Sequence, residues 1–260
     1  MKGKLNINQI FAMPAHAPLY LKPPAYYRDF QAIIGIFKGN AEGISETIPD
    51  NLDLITLGDN KPLFMYYQAY YPFSSLYGSY NEVVIAPLVI YENQPHLFVS
   101  YIYVDNDAAL TAGREIWGFP KKLAKMRLEI HGESIEAELE RPAGRKLMSV
   151  QMRIERQAKM EELQAAGIGS SPVLLLKIIP NPDAESKPTA ELVRVEVKIT
   201  PRTSTSDNSL ELWTGKILLN FIDESLTDPI FKFGPVEPIS AYFGRFDMVL
   251  PPGKIVYKYI

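Results

Sequence analysis

Runs of aromatic and β-branched residues, cut short by prolines and polar turns, constrain this chain most. Residues 63–71, 82–91 and 96–104 are such runs, and side chains of this kind suit a pleated, half-buried surface. Between the last two, Glu92-Asn93-Gln94-Pro95 predicts a hairpin turn. Residues 127–131 and 134–140 alternate apolar with polar around His131-Gly132-Glu133, and 146–154 continues with Leu147, Ser149, Gln151 and Arg153 set against Met148, Val150, Met152 and Ile154. Further strands are expected at 32–37, 173–179, 191–199, 210–221, 249–250 and 254–260. Residues 155–166 contain no strand former and read as a helix ended by Gly167 and Gly169. One or two helical turns are expected at 40–47, with Ile44 facing inward. A tally of about ten strands with few helices does not alternate as a doubly wound sheet does. The expected fold is mainly β: an antiparallel β-barrel-like single domain with a few short peripheral helices, closed or nearly closed because closure removes exposed edges. Residues 1–25, interrupted by Pro14, Pro18, Pro23 and Pro24, read as an arm lying on the body or on a neighbouring subunit. Residues 26–260 form the barrel domain.

Several function classes are disfavoured. A net charge of -3 without a block of like charge argues against a nucleic-acid partner. The absence of cysteine removes disulfides, thiol catalysis and thiolate metal sites, and fits a reducing compartment. His16, His96 and His131 make no H-x-x-x-H pair, the commonest local signature of a histidine-built metal site. No apolar run reaches the roughly 18 residues of a membrane span. The N-terminal stretch lacks the apolar core of a secretory signal, so no membrane partner is expected and the cytoplasm is the expected location. No Gly-rich phosphate loop or G-x-S-x-G elbow is present. Ser74-Ser75 and Ser170-Ser171 read as turn residues.

What remains is GREIWGFPKKLA, residues 113–124. Two adjacent lysines, Lys121 and Lys122, follow a proline among Ile116, Trp117, Phe119, Leu123 and Ala124. Packing such a stretch against a core draws an ammonium toward low dielectric beside a second positive charge, and both effects disfavour an amine's charged form. A neutral amine attacks ketones and aldehydes, the first requirement of Schiff-base catalysis. In a solvated turn the same pair has no such property. Arg114 and Glu115 read as structural, fixing the loop that carries the lysines.

This segment resembles the lysine segment of the acetoacetate decarboxylase family. Other landmarks appear in the family's order: Asn81-Glu82 before an apolar strand, Asp105-Asn106 upstream of Gly113-Arg114-Glu115, Leu176-Lys177-Ile178-Ile179-Pro180-Asn181, Trp213-Thr214-Gly215, and Ile255-Val256-Tyr257 with Tyr259. The resemblance covers residues 28–260. It implies an antiparallel β-barrel, a large homo-oligomer, and a Schiff base on Lys121; acetoacetate decarboxylase is itself a known example of a lysine activated by desolvation or a neighbouring cation. It implies that Glu82 is a cavity acid that moves protons, and it sets Lys122 beside this catalytic pair. Adjacent residues of an extended segment point opposite ways, so Lys122 is expected to turn away or to meet a carboxylate. Arg28 matches an arginine at the pocket entrance that would hold a carboxylate in a two-pronged hydrogen bond. Where the family's decarboxylases carry a second cavity glutamate, this chain has Tyr67 or Gln68, a neutral group that changes the electrostatics around a substrate. Phe119 stands where some relatives carry tyrosine. Tyr67, Gln68 and Phe119 join Arg28 as expected substrate contacts. The tyrosines at 66, 67, 70 and 71 either line the pocket or pack the barrel.

The function implied is a Schiff-base lyase that decarboxylates a short β-keto acid such as acetoacetate through an imine on Lys121. The lysine is the electron sink, so neither metal nor organic cofactor is required. One alternative, favoured by the missing second cavity glutamate, keeps the imine but condenses a keto acid with an aldehyde, as an aldolase-dehydratase. Another is a non-enzymatic barrel that binds a small acid.

Overall fold

The computed structural model describes residues 1–169, 171–183 and 185–260, so Ser170, read above as a turn residue, lies outside the described residues. The sheet is built outward from Ala25–Lys38, which pairs antiparallel with Glu237–Leu250 on one side and Lys61–Tyr71 on the other. From Lys61–Tyr71 the ladder passes through Tyr80–Tyr91 to Tyr101–Val104 and ends on Lys121–Leu123, which pairs parallel. In the other direction it runs through Leu212–Phe221, Lys146–Gln157 and Ser134–Glu140 to Lys125–His131. In sequence, Ala124 alone separates the two end strands of the ladder. The architecture is mainly antiparallel β with a few short helices, as expected, but the sheet is not closed into a barrel, because no ladder among the described residues pairs its two end strands. A smaller ladder of Gln94–Phe98, Val173–Ile179, Thr189–Val195 and Lys254–Lys258 packs beside it. No helix among the described residues is long and apolar enough to cross a membrane.

Both faces of the central strands are apolar, which explains their near-continuous hydrophobic runs. Side chains alternate across a strand. Tyr67, Tyr71, Val84 and Ala86 therefore enter one core, and Phe64, Tyr66, Val83 and Ile85 enter another. At about 1.5–3 kcal/mol for each large apolar side chain buried, the two cores fix strand register: a one-residue slip would exchange their contents.

The strands expected at 32–37 and 249–250 are parts of the longer Ala25–Lys38 and Glu237–Leu250. The one expected over 191–199 is two, Thr189–Val195 and Lys198–Pro201. Three further elements also differ from the sequence expectation. The helix expected over 155–166 is shorter: the strand Lys146–Gln157 continues by pairing Arg156 with Thr214 and Gln157 with Trp213, leaving only Met160–Ala165 helical. Ladder formation overrides local propensity there. The single strand expected over 96–104 is two, because Tyr80–Tyr91 serves both ladders: Gln94–Phe98 pairs with its second half and Tyr101–Val104 with its first. The unanticipated helix Asp107–Ala112 is capped by Asn106, whose side-chain oxygen accepts from the Ala109 N–H at 2.8 Å, an N-cap signal that was present in the sequence. The arm lies on the body through buried Ala12 and Tyr20.

Candidate active site

The helix Asp107–Ala112 runs on into a π-helical turn, Gly113–Trp117, closed by the Gly118 N–H on the Gly113 carbonyl at 2.9 Å. Gly118 ends it at φ 88°, and a Cβ there would fall 2.5 Å from Lys177 Cα, so only glycine satisfies both the left-handed backbone and the close approach. Side chains brace this turn. The Arg114 guanidinium donates to the Lys121 carbonyl at 3.2 Å, the Trp117 indole to Pro251 at 2.8 Å, and the arm's Tyr20 hydroxyl to the Glu115 carboxylate. The chain then enters the short strand that aligns Lys121 with Ile102 and Lys122 with Tyr103. Lys121 faces the first core at 5% exposure. Gly113 sits against its stem: a Cβ there would lie 2.7 Å from both Lys121 Cδ and Cε. Gly113→Ala is therefore expected to displace the amine and lower turnover about 10²-fold, the scale of an ångström-sized misplacement. Steady-state kinetics beside an unchanged circular-dichroism spectrum check it.

Lys121 Nζ lies 2.9 Å from Glu82 Oε2 inside a cavity of about 100 Å³. Glu82 is itself buried, and its other oxygen accepts from the Tyr71 hydroxyl at 3.2 Å. Tyr67 and Tyr71 hydroxyls are 2.7 Å apart. Tyr71 has one hydroxyl hydrogen and directs it to Glu82, so Tyr67 is the donor in that contact. The result is a directed chain, Tyr67 to Tyr71 to Glu82, with Lys121 donating from the other side. Burial first, and then the charge of Glu82, holds the phenols of Tyr71 and Tyr80 well above their ordinary value. Burial does the same at Tyr67 against the opposing hydrogen bond with Tyr71, so all three remain protonated donors at neutral pH. The rings of Tyr80 and Phe119 lie 5.6 and 5.5 Å from Nζ and favour a cation there. Among the described lining residues, Lys121 and Glu82 are the only charged side chains.

Lys122, grouped with the catalytic residues on the sequence, is outside this cavity. Strand alternation sends its ammonium to the opposite face, where it donates to Asp228 Oδ1 at 2.9 Å and to the Thr227 carbonyl. Asp228 is buried and also accepts from Tyr103, Thr227 and Arg141, the last of which donates as well to the Leu123 carbonyl. One carboxylate thus clasps the outer face of the lysine strand. Burial opposes its charge, but the Lys122 hydrogen bond and charge, with help from Thr227 and Arg141, hold the carboxyl below the ordinary aspartate value. Because the folded value is the lower one, this stabilisation is full above the unfolded pKa of about 3.9 and is lost as pH falls through the folded value. Asp228→Asn is expected to cost about 2–3 kcal/mol at pH 7. In urea melts, the wild-type advantage over Asp228→Asn narrows toward pH 3.

Two expected substrate contacts are also elsewhere. Gln68 is on the other face of its strand, fully buried, accepting from the Tyr66 hydroxyl and donating to the Arg127 carbonyl, both at 2.7 Å. It ties Lys61–Tyr71 to the far end of the ladder. Tyr67, not Gln68, occupies the inward position. Arg28 is exposed, stacked over Tyr26 and bonded to the Tyr27 carbonyl, because Tyr27 takes the inward position and a bulge at Asp29 (φ 54°) follows. Phe119 lines the cavity. The sequence reading missed Tyr27 and Tyr80. Tyr80 had a signal, since it precedes Glu82 by two residues in one strand and so shares its face. Asp228 had none.

The family profile described as acetoacetate decarboxylase matches residues 12–260. The chain belongs to the acetoacetate decarboxylase family. It is similar to acetoacetate decarboxylase 3 of Mesorhizobium japonicum, 29% identical over 256 residues, covering 98% of this chain and 93% of that one. The crystal structure of acetoacetate decarboxylase from Legionella pneumophila is 25% identical, with a TM-score of 0.82 over 100% of this chain and 99% of its own. The enduracididine biosynthesis enzyme MppR, solved with the condensation product of pyruvate and imidazole 4-carboxaldehyde, is 16% identical, with a TM-score of 0.78 over 96% and 97%; that likeness is one of fold. Membership of the acetoacetate decarboxylase family puts this chain among enzymes of the decarboxylase and related-lyase kind.

Proposed function

We propose that this protein decarboxylates a β-keto acid through an imine on Lys121, with Glu82 as the proton partner. The observation that carries this reading is the buried Lys121–Glu82 contact of 2.9 Å in a cavity whose described lining holds no further charged side chain. Glu82 takes a proton from the ammonium, and the free amine adds to the ketone. Water leaves, giving an iminium whose positive nitrogen lies against Glu82 and the rings of Tyr80 and Phe119. The bond between the α-carbon and the carboxylate breaks, carbon dioxide departs, and the electron pair passes through the new carbon–carbon double bond to nitrogen. The α-carbon of the enamine takes one proton, supplied through Glu82 and its tyrosine donors. Water hydrolyses the resulting imine, returning ketone and amine. The net change is one β-keto carboxylate and one proton converted to one ketone and one carbon dioxide.

The charge pattern favours this reaction over condensation of pyruvate with an aldehyde. A pyruvate carboxylate persists through that whole cycle and calls for a fixed cation other than the reacting lysine. The described lining offers none, and Arg28 is outside it. In decarboxylation the carboxylate is lost as a neutral gas, and low polarity around it favours that loss. Exposed Ile7, Phe11, Met13 and Leu21 on the arm are apolar surface that the expected homo-oligomer would cover, and the cytoplasm remains the expected setting.

Borohydride added with acetoacetate is expected to leave a mass adduct on the peptide bearing Lys121, while acetoacetate alone yields carbon dioxide. No adduct and no gas would sink the proposal. An adduct with pyruvate, but no gas from acetoacetate, would select the condensation reaction.

A further inference from the structure

The cavity is polar at one end and apolar along the rest of its length. Its floor is the inward row of Tyr80–Tyr91: Tyr80, Glu82, Val84 and Ala86. Opposite these on Lys61–Tyr71 stand Tyr71, Ala69, Tyr67 and Met65 in turn. Lys121, Glu82 and the hydroxyls of Tyr27, Tyr67, Tyr71 and Tyr80 gather at the first rungs. At the last rung, Met65 faces Ala86 and no hydroxyl or charge remains. Beyond it the lining continues through Leu97 and Val99, with Val197 and Ile199 also lining the space. Ser171, two residues before Val173, adds one hydroxyl on that side. From Glu82 to Ala86 the strand advances four residues, about 13 Å at 3.3–3.4 Å each. The methyl of acetoacetate, attached to a carbon bonded to Lys121 Nζ, reaches no further than the rung of Tyr67 and Val84. The apolar remainder would then be left unfilled, since water there finds few polar partners, and its lining would forgo packing contacts.

We infer that the substrate is a 3-oxo acid whose acyl chain extends several carbons beyond that methyl, lying along the row from Val84 past Ala86 toward Leu97. This rests on the decarboxylase reading and adds its substrate class. The carboxyl and keto groups stay among Lys121, Glu82 and the tyrosines, and the alkyl chain fills the apolar length. Ala86 sets the passage, because a larger side chain at that rung would block it opposite Met65. Each methylene buried gains about threefold to fourfold in kcat/KM until the cavity is filled.

The test measures carbon dioxide release from 3-oxobutanoate, 3-oxohexanoate, 3-oxooctanoate and 3-oxodecanoate by the wild type and by Ala86→Leu. In the wild type, kcat/KM is expected to rise at least tenfold from 3-oxobutanoate to 3-oxooctanoate. In Ala86→Leu that rise disappears, and the loss with 3-oxooctanoate exceeds any change with 3-oxobutanoate. Should Ala86→Leu fail to fold, the wild type supplies a second reading: butanone, 2-hexanone and 2-octanone should trap on Lys121 under borohydride at falling half-saturating concentrations. Efficient release from 3-oxobutanoate with a flat or falling chain-length series overturns the inference and leaves the decarboxylase reading standing. No release from any 3-oxo acid and no trapping of any ketone overturns both.

Discussion

Under the proposed imine mechanism, Lys121→Ala is expected to leave nothing for borohydride to trap with acetoacetate and to lower decarboxylation by roughly 10⁴-fold or more, the scale seen when an enzyme loses its covalent nucleophile. The size of the effect follows from geometry. Lys121 supplies the only amine among the described cavity residues, and the neighbouring amine cannot replace it: Lys122 is held on the opposite face by Asp228 and the Thr227 carbonyl. Lys122→Ala is therefore the informative companion, and it should still form the adduct. Trapping that survives in Lys121→Ala and vanishes in Lys122→Ala would reverse the assignment. Removing Lys121 also leaves Glu82 buried without its cation, which costs several kcal/mol. A double variant, Lys121→Met with Glu82→Gln, removes both charges together. Its melting temperature should exceed that of Lys121→Ala, separating lost chemistry from lost stability.

Glu82→Gln is expected to lower kcat by about 10²–10³-fold while leaving the imine trappable. In the proposed cycle the Lys121 ammonium gives up a proton and the enamine carbon takes one, and an amide can serve neither transfer. It does retain an oxygen for the Tyr71 hydroxyl, which donates to Glu82 at 3.2 Å in the wild type, so the pocket keeps its shape. The amine itself remains, and borohydride with excess substrate should still label Lys121, at a lower rate. Measuring adduct formation and carbon dioxide release on one sample distinguishes the outcomes. Unchanged release would remove Glu82 from the proton path. Loss of both adduct and folded signal would make it structural.

Much of the site was legible because a β-strand carries its own directional code. Glu82 and Val84 share a face by alternation, Lys121 and Lys122 must part, and Tyr80 could have been placed from its offset to Glu82. The same rule left Tyr67 and Gln68 open, since one of the two must point inward and the residues alone do not say which. Pairing decides it: Tyr67 lies across from Val84 and Gln68 across from Val83. Arg28, expected at the pocket entrance, is absent from the described lining for a related reason. A bulge at Asp29 interrupts the alternation, and nothing in the run Tyr26-Tyr27-Arg28-Asp29-Phe30 announces that the face belongs to Tyr27. The helix expected over 155–166 failed because Arg156 and Gln157 found ladder partners in Leu212–Phe221, and long-range pairing outweighs weak local propensity.

The sequence by itself determined a strand-rich domain, an unusual lysine pair and an acid two residues into an apolar strand. All three are expressed over a few neighbouring residues, where periodicity and polarity act directly. Only the tertiary structure decided that Glu82, 39 residues from Lys121, is its partner, and that Asp228, 106 residues from Lys122, holds the second lysine away. It alone set the length and polarity of the cavity. Those properties depend on which strands lie side by side and in what register, and register is fixed by burying two apolar cores at once rather than by any local run of residues.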